Sequence, residues 1–180
     1  MDFEIASLSA IMNEFNETET SLDKLREVFS SFQCVKSPDE QDFLRYKAID
    51  YEEHNKARTY LLLDDKGIAA YFSLAFKSID LQNTSPDKRK RMTGGESNSC
   101  TYSAFLIGHI AKDDRVKEKL GDQIIEMAND LLLEAQEIVG GRLVYIDCKG
   151  IPELIEYYER NHFTYFNTSP SGLLQYYRKL

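Results

Sequence analysis

Two adjacent tyrosines, Tyr157 and Tyr158, lie near the end of the amphipathic stretch 150–163, GIPELIEYYERNHF. A phenol has an ordinary pKa near 10, so at neutral pH it is protonated and can donate its proton to a leaving group. Neighbouring side chains on a helix point about 100 degrees apart. Only one of the two phenols can therefore face a given reacting centre, and the other packs elsewhere.

A histidine, His109, falls within the apolar stretch 101–111, TYSAFLIGHIA. The nearly continuous apolar character of this stretch predicts a strand buried on both faces. Side chains alternate along a strand, so His109 shares a face with Phe105 and Ile107, neither of which can accept a proton. His109 is thus a candidate general base or substrate contact, and the alternative is a core histidine whose hydrogen bonds are satisfied.

An anion site is predicted where this strand leads through a polar loop into a helix that begins at Gly121. The first N–H groups of a helix lack internal acceptors, and the helix dipole favours negative charge. A phosphate or pyrophosphate would fit such a site, and the alternative is a loop with only a structural role. The loop carries four basic and three acidic side chains, which are Lys112, Arg115, Lys117, Lys119, Asp113, Asp114 and Glu118.

The elements around these residues follow from periodicity and turn signals. Helices are predicted over about 21–32, after Pro38, over 121–139 and over 151–160, and strands over 59–63, 68–76, 142–148, 163–166 and 173–178. Strands 101–111 and 142–148 flank a long helix, so they form a βαβ unit and should be parallel neighbours. The stretch 80–99 loses all periodicity and is predicted to be a long mobile loop.

Composition limits the classes of protein. The 180 residues, 42% hydrophobic and 29% charged, fit one domain over 1–180. We expect a cytoplasmic protein, because no stretch reaches the roughly 18 apolar residues of a membrane span and the N-terminus has no signal pattern. The three cysteines lack metal-ligand spacing, so they are expected to be packed thiols. The net charge of −8 disfavours a nucleic-acid partner, and the basic cluster 88–91 is interpreted as solvated charge, with a contact to an anionic partner as the alternative.

The order of elements and several short motifs resemble the GNAT N-acetyltransferase superfamily over about 32–180. Tyr157–Phe163 is similar to the C-terminal pattern of that family, which reads aromatic, Tyr, Glu, basic, variable, Gly, Phe. The phosphate loop departs from the family pattern Gln/Arg-x-x-Gly-x-Gly/Ala, since Val116–Gly121 keeps only the final glycine and Lys119 replaces the middle one. The other matching stretches are Leu106–Ala111, Leu120–Gly121 and Ile138–Cys148.

The resemblance implies an α/β (α+β) fold with a mixed, mostly antiparallel twisted sheet, flanking helices and a central βαβ coenzyme-binding unit. It implies acetyl-coenzyme A as cosubstrate, no metal, and direct attack by a primary amine on the thioester. Tyr158 matches the tyrosine of the family, so it would contact the coenzyme and protonate the leaving thiolate. Backbone groups of His109, Ile110 and Ala111 would pair with the pantetheine arm, and the pyrophosphate would rest on the amides of Lys117, Glu118, Lys119, Leu120, Gly121 and Asp122.

Several alternatives stay open at this point. Tyr158 could be a core aromatic with a satisfied hydroxyl. The acceptor could be a small amine, a peptide or a protein lysine. A catalytically inactive domain that binds coenzyme A or a protein partner is a different class of function. A toxin-like acetyltransferase that acts on aminoacyl-tRNA is a further one, which the net charge disfavours. The sequence leaves open the general base and whether the chain forms a homodimer.

Overall fold

The computed structural model describes residues 3–15, 19–96 and 98–180. In these ranges, seven strands form one mixed sheet in the order β1-β2-β3-β4-β5-β7-β6. The pairs β1–β2, β2–β3, β5–β7 and β6–β7 are antiparallel, whereas β4–β5 is parallel. The strands are β1 Glu4–Ser7, β2 Arg58–Asp64, β3 Gly67–Asp80, β4 Thr101–Lys112, β5 Leu143–Cys148, β6 Thr164–Thr168 and β7 Leu174–Lys179.

Seven α-helices and one π-helix accompany the sheet in the described residues. The predicted mixed, mostly antiparallel α/β fold and its parallel βαβ unit are confirmed. No described helix has the length and apolar character needed to cross a bilayer. The helices are α1 Leu8–Phe15, α2 Glu19–Ser31, α3 Pro38–Asp42, the π-helix Phe43–Lys47, α4 Ala48–Glu53, α5 Pro86–Thr93, α6 Gly121–Val139 and α7 Pro152–Arg160.

The contacts between Cα atoms divide the described residues into two compact units. Unit 1 holds the described residues up to Ala75 together with His109–Ile124, and unit 2 holds Phe76–Gly108 together with Ile125–Leu180. In unit 1, apolar side chains of α1, α2, the π-helix and α4 form a core with those of β2 and β3, among them Leu8, Phe29, Phe32, Phe43, Leu61 and Tyr71. The core of unit 2 is built from β3, β4, β5 and β6 together with α5, by side chains that include Ile79, Met92, Ala104, Leu143 and Phe166.

The stretch 80–99 is not a structureless loop, because it contains α5. Ser85 caps this helix by accepting the N–H of Lys88 at 3.4 Å, and Pro86 occupies the first turn. Gly94 ends the helix in the left-handed conformation, with φ of 84°. The helix is short and very polar, so it has almost no apolar periodicity. Its two ends are signalled in the sequence, and its middle is not.

The cysteines are free thiols in different environments. Cys34 and Cys148 are buried, as expected for packed thiols, and burial raises the pKa of both thiols. Cys100 is exposed, so the expectation of packing is wrong for this residue. It directly precedes β4, where its carbonyl accepts the N–H of Leu81 at 2.8 Å.

Candidate functional site

Strands β4 and β5 are paired over only a short part of their length. The ladder joins Phe105 to Val144 and Leu106 to Tyr145. β5 continues to Cys148, yet Ile107 and Gly108 have no ladder partner on it among the described residues of unit 2. The parallel pair therefore opens directly after Leu106. An opened edge of this kind leaves strand backbone accessible to an extended ligand.

The backbone directions at the end of β4 identify which residue can offer its peptide groups to such a ligand. The N–H of His109 donates to Ser73 Oγ at 3.0 Å, and the N–H of Asp113 donates to the Ala69 carbonyl at 2.8 Å, both toward β3. Successive backbone groups of a strand point to opposite sides, so those of Ile110 point to the edge away from β3. Of the three residues predicted to pair with a pantetheine arm, which are His109, Ile110 and Ala111, Ile110 is the one whose backbone groups face away from β3, and the contact itself stays a prediction.

The loop between β4 and α6 is held mainly by its acidic residues. Asp113 is buried, and its carboxylate accepts the backbone N–H groups of Gln33 at 2.8 Å and Arg115 at 2.9 Å. Asp114 accepts the N–H of Val35 at 2.9 Å. These two carboxylates anchor the loop to the segment after α2.

Arg115 is occupied by an ion pair rather than being available to an anion. Its two terminal nitrogens donate to both carboxylate oxygens of Asp64, at 2.6 and 2.9 Å. This bidentate arrangement lowers the pKa of the Asp64 carboxyl and raises that of Arg115. Asp64 ends β2, so the pair joins the loop to the β2–β3 hairpin.

Lys112 orients the peptide groups of the same loop. Its ammonium group donates to the carbonyls of Val116 and Glu118, the second at 3.0 Å. In a planar trans peptide the N–H points opposite to the C=O, so the N–H groups of Lys117 and Lys119 point away from Lys112. Lys119 itself is exposed and makes no ion pair in the described part of the chain. The loop thus directs two amides and one unpaired ammonium group outward.

The amino end of α6 offers further amides. The first helical bond runs from Ile124 N–H to the Leu120 carbonyl at 2.9 Å, so the N–H groups of the preceding first turn have no acceptor within the helix. Leu120, which precedes the helix, has no side-chain oxygen with which to cap it. The helix dipole favours negative charge at this end, where the first turn already carries the acidic residue Asp122. The predicted amides from Lys117 to Asp122 therefore lie on one continuous segment, and their contact with a pyrophosphate stays a prediction.

Tyr158 is fixed by the way α7 ends. The helix stops with the N–H of His162 bonded to the Glu159 carbonyl and the N–H of Phe163 bonded to the Tyr158 carbonyl, both at 3.0 Å. This pattern is a Schellman motif, and its usual apolar contact is present, because the rings of Tyr158 and Phe163 meet edge to face at 6.0 Å. Arg178 lies over the Phe163 ring at 4.8 Å. Tyr158 is 9% exposed, which is compatible with the acid role and with the core role.

His162 stands where the family pattern has a glycine, and the backbone at this position has a positive φ. His162 adopts φ of 66°, a conformation that glycine adopts without strain. Tyr157, the neighbour of Tyr158, is half-buried and has Arg160 over its ring at 5.6 Å. The rings of Tyr157 and Tyr158 contact each other, with centroids 5.0 Å apart, although their exposure differs.

His109 is not a core histidine with both nitrogens satisfied. Its Nδ1 lies 2.7 Å from Oε2 of Glu40, and its ring stacks on Phe43 with centroids 3.6 Å apart. Its Nε2 has no hydrogen-bond partner in residues 3–15, 19–96 and 98–180, and 38% of the side chain is exposed. Glu40 was not identified from the sequence. It stands 69 positions before His109, and only the fold brings the two together.

Glu40 is in turn fixed from β3. The hydroxyl of the buried Tyr71 donates to the Glu40 carbonyl at 2.5 Å, and burial raises the pKa of this hydroxyl. The backbone of α3 therefore cannot shift without breaking a buried hydrogen bond. Among the described residues, no group of three or more His, Cys, Asp or Glu could hold a metal ion.

Comparison with known proteins gives the fold. No protein-family model matches the sequence, and no curated protein matches it. AtaT complexed with acetyl-methionyl-tRNAfMet is 16% identical with a TM-score of 0.69, over 97% of this chain and 94% of that one. A tyrosine-to-phenylalanine mutant of KacT is 14% identical with a TM-score of 0.71, over 99% of this chain and 95% of that one. AtaTR bound with acetyl-coenzyme A is 12% identical with a TM-score of 0.68, over 99% of this chain and 93% of that one.

These likenesses cover nearly the whole of each chain, and they show that the GNAT fold predicted from the sequence is right. They also bear on one expectation drawn from the net charge. The net charge disfavours a nucleic-acid partner, yet one protein with this fold is complexed with an acetylated aminoacyl-tRNA. The expectation that a nucleic-acid partner is unlikely is partly at odds with this complex.

Proposed function

We propose that this chain is an N-acetyltransferase that moves the acetyl group of acetyl-coenzyme A to a primary amine by direct attack. The main support is the parallel pair β4–β5, which opens after Leu106 on the strand that leads to the amino end of α6. An opened strand edge suits an extended arm that carries amides, and the amino end of a helix suits a diphosphate group. The structures of AtaTR with acetyl-coenzyme A and of AtaT with an acetylated tRNA have the same fold.

The coenzyme would bind through backbone groups more than through side-chain charge. Ile110 would pair with the pantetheine amides, and the pyrophosphate would accept from the outward amides of the loop and of the first turn of α6, with Lys119 as the unpaired cation nearby. This placement requires little of the loop sequence. It therefore accommodates Lys119, which stands where the family pattern has a glycine.

In the reaction, the amine nitrogen forms a bond to the thioester carbon, and the carbon–sulfur bond breaks when the tetrahedral intermediate collapses. Tyr158 gives its hydroxyl proton to the departing thiolate. An ammonium acceptor loses two protons overall. One leaves before the attack, with His109 as the candidate base, and the other leaves the intermediate and restores Tyr158 by way of water.

As the acceptor we propose the α-amine of an aminoacyl-tRNA. The basic helix α5 supports this choice, because it concentrates four consecutive cationic residues within an acidic chain. Lys90 and Arg91 are exposed and make no ion pair within the described part of the chain, so both are available to phosphates. An α-amine also has an ordinary pKa of about 8, well below that of a lysine side chain, so a larger fraction is neutral near pH 7.

Two measurements test the activity. Calorimetry should detect binding of acetyl-coenzyme A and much weaker binding of S-acetylpantetheine, which lacks the diphosphate. Release of free thiol should then rise on addition of methionyl-tRNA, with deacylated tRNA as the control and a lysine peptide and a polyamine as alternative acceptors. Coenzyme binding without thiol release from any acceptor would favour the inactive alternative. Absence of coenzyme binding would overturn the proposal.

The role of α5 has its own test. Each phosphate contact contributes about 0.7 to 0.9 to the slope of log affinity against log salt, so the K90A/R91A variant should lower the slope for aminoacyl-tRNA by about 1.5. The matched control is K24A/K36A, which removes two exposed cations that likewise make no ion pair in the described part of the chain. Equal slopes for both variants would exclude α5 as the contact, without bearing on acetyl transfer to other amines.

A further inference from the structure

We propose that Glu40 is a positioning residue that holds His109 in the tautomer whose Nε2 accepts the proton of the acceptor amine. The proposal rests on the proposed acetyltransferase function and adds to it the group that makes the amine nucleophilic. The sequence motifs do not identify Glu40. The assignment comes from the contacts that α3, the π-helix, β3 and β4 make around one imidazole ring.

The hydrogen bond between Glu40 and His109 determines where the proton of the neutral ring resides. Oε2 of Glu40 lies 2.7 Å from Nδ1 of His109. A carboxylate accepts hydrogen bonds and does not donate them, so Nδ1 carries the hydrogen. The lone pair of the neutral imidazole is then on Nε2. This nitrogen is the one that lacks a partner in the described part of the chain.

The plane of the ring is fixed as well as its tautomer. Phe43 stacks on His109 with an interplanar angle of 13°. Phe43 is the first residue of the π-helix, and its carbonyl accepts the N–H of Ala48, five positions later. π-helical turns occur often at functional sites, where they change the direction of a side chain. Stacking and the carboxylate contact together leave the ring little freedom to rotate.

Glu40 is itself held in place by neighbours that have no direct part in the reaction. The Tyr71 hydroxyl bonds to its carbonyl, and Gln41 accepts the N–H of Cys34 at 2.8 Å. Arg45 on the π-helix donates to the Phe32 carbonyl at 2.6 Å. The carboxylate is thus presented by a short helix that is tied to β3 and to the end of α2. Such prior ordering is what a catalytic contact requires.

A proton balance follows from this geometry. An ammonium acceptor gives one proton to Nε2, which makes the ring an imidazolium, and the neutral amine then attacks the thioester carbon. The positive charge of the imidazolium is stabilised by Glu40 and by the face of Phe43. The ring later returns this proton to water. The side chain is exposed enough for water to reach it, with 38% of its surface accessible.

The experiment compares four variants with the wild type: E40A, E40Q, H109Q and the double variant E40A/H109Q. We expect H109Q to lower kcat by about 10² to 10⁴, which is the usual contribution of a general base. E40A should lower kcat by about 10 to 100, whereas E40Q, which retains an acceptor oxygen, should recover part of this loss. The double variant should be no slower than H109Q, because the two residues act as one unit. The affinity for acetyl-coenzyme A should be unchanged in all four.

The chain supplies a matched control in a second carboxylate–histidine pair. Asp50 lies 3.0 Å from Nδ1 of His54 on the exposed face of α4. The D50A variant removes a carboxylate from a histidine that has no proposed role, together with the exposed contact of that carboxylate to Lys56 at 2.8 Å, so it should keep the wild-type kcat. If E40A retains the same kcat as D50A, or if the losses of E40A and H109Q multiply in the double variant, the proposal is wrong.

A spectroscopic readout separates this proposal from the proposed function. In protein with ¹⁵N-labelled histidine, the ring signals of His109, assigned by their loss in H109Q, should show hydrogen on Nδ1, and E40A should shift the population toward the other tautomer. No turnover in the wild type with any acceptor would defeat the proposed function, and the general-base role with it. Turnover in the wild type together with hydrogen on Nε2 of His109 would defeat only the present inference.

Discussion

The N–H of Phe163 donates to the carbonyl of Tyr158 at 3.0 Å, and the rings of these two residues meet edge to face. One pair of residues thus ends α7 and fixes the side chain proposed as the acid. The position of the phenol is determined by how the helix terminates, and a change at the helix end should affect stability and catalysis in separable ways.

The Tyr158→Phe variant tests the acid. It removes one hydroxyl and keeps the edge-to-face contact with Phe163, so the fold should be retained. We expect kcat to fall by about 10² or more, because the thiolate would have to leave without its proton donor, while the affinity for acetyl-coenzyme A stays within about threefold. Thiol release and calorimetry measure the two quantities. Tyr157→Phe is the matched control, and a Tyr158→Phe variant as active as this control would leave Tyr158 with a core role only.

His162 should be replaceable by glycine with a gain in stability. Its positive φ of 66° strains any residue that has a Cβ, by about 1 kcal/mol or more. Glycine relieves this strain, but it also makes the unfolded chain more flexible, which offsets part of the gain in stability. His162→Gly should therefore stabilise the protein by about 0.5 to 1 kcal/mol. Urea unfolding measures the difference. His162→Ala keeps the strain, and a similar gain in both variants would refute the explanation.

Gly141 should tolerate no side chain. A Cβ at this position would lie 2.5 Å from a ring carbon of Phe105, and φ is 124°. Gly141→Ala should therefore destabilise the protein by about 2 to 4 kcal/mol through overpacking and backbone strain. Gly140→Ala is the matched control, since its φ of 73° is also positive but its Cβ would meet no atom within 4 Å. Thermal unfolding should rank Gly141→Ala below Gly140→Ala, and equal losses would show that the ring moves aside freely.

The Asp64–Arg115 pair should make stability depend on acidity. The pKa of Asp64 is lowered, mainly by its hydrogen bonds from Arg115. A carboxyl whose pKa is lower in the folded state than in the unfolded state stabilises the folded protein when the pH is above the unfolded-state pKa, which is near 4. This contribution is lost as the pH falls through the folded-state pKa. Asp64→Asn should therefore be less stable than the wild type at pH 7 and should approach it below pH 4. Urea unfolding at several pH values measures this, and a constant difference would contradict it.

Most of the sheet could be predicted because the local sequence patterns agree with the strand pairs that form in the fold. The long apolar stripe of α6 between two apolar strands specifies a βαβ unit, and the Asp64–Gly67 turn specifies the β2–β3 hairpin. The position of β7 between β5 and β6 was not predicted, since pairing between strands distant in sequence is not encoded in either strand alone. Helix α5 was missed because eight largely polar residues show no apolar stripe.

The residues of the candidate site could be predicted only from a sequence motif or from the alternation of side chains along a strand. Tyr158 and His109 are predicted in this way, and the structure adds the contacts that orient them while their roles stay predictions. Glu40 could not be found, because no local pattern relates a residue on α3 to one on β4. The charges of the phosphate loop were also misread, since the sequence shows that Arg115 is basic but not that Asp64 neutralises it.

The π-helix makes the geometry around His109 depend on the number of residues in the chain as well as on their identity. Its turn spans five positions where an ordinary turn spans four, so it contains one surplus residue. Deleting a single residue from 44–47 would restore a regular helix and swing the residues before the deletion by about 100 degrees relative to those after it. The Glu40 carboxylate and the Phe43 ring would then both lose their contacts with the His109 imidazole, although neither side chain would have been removed.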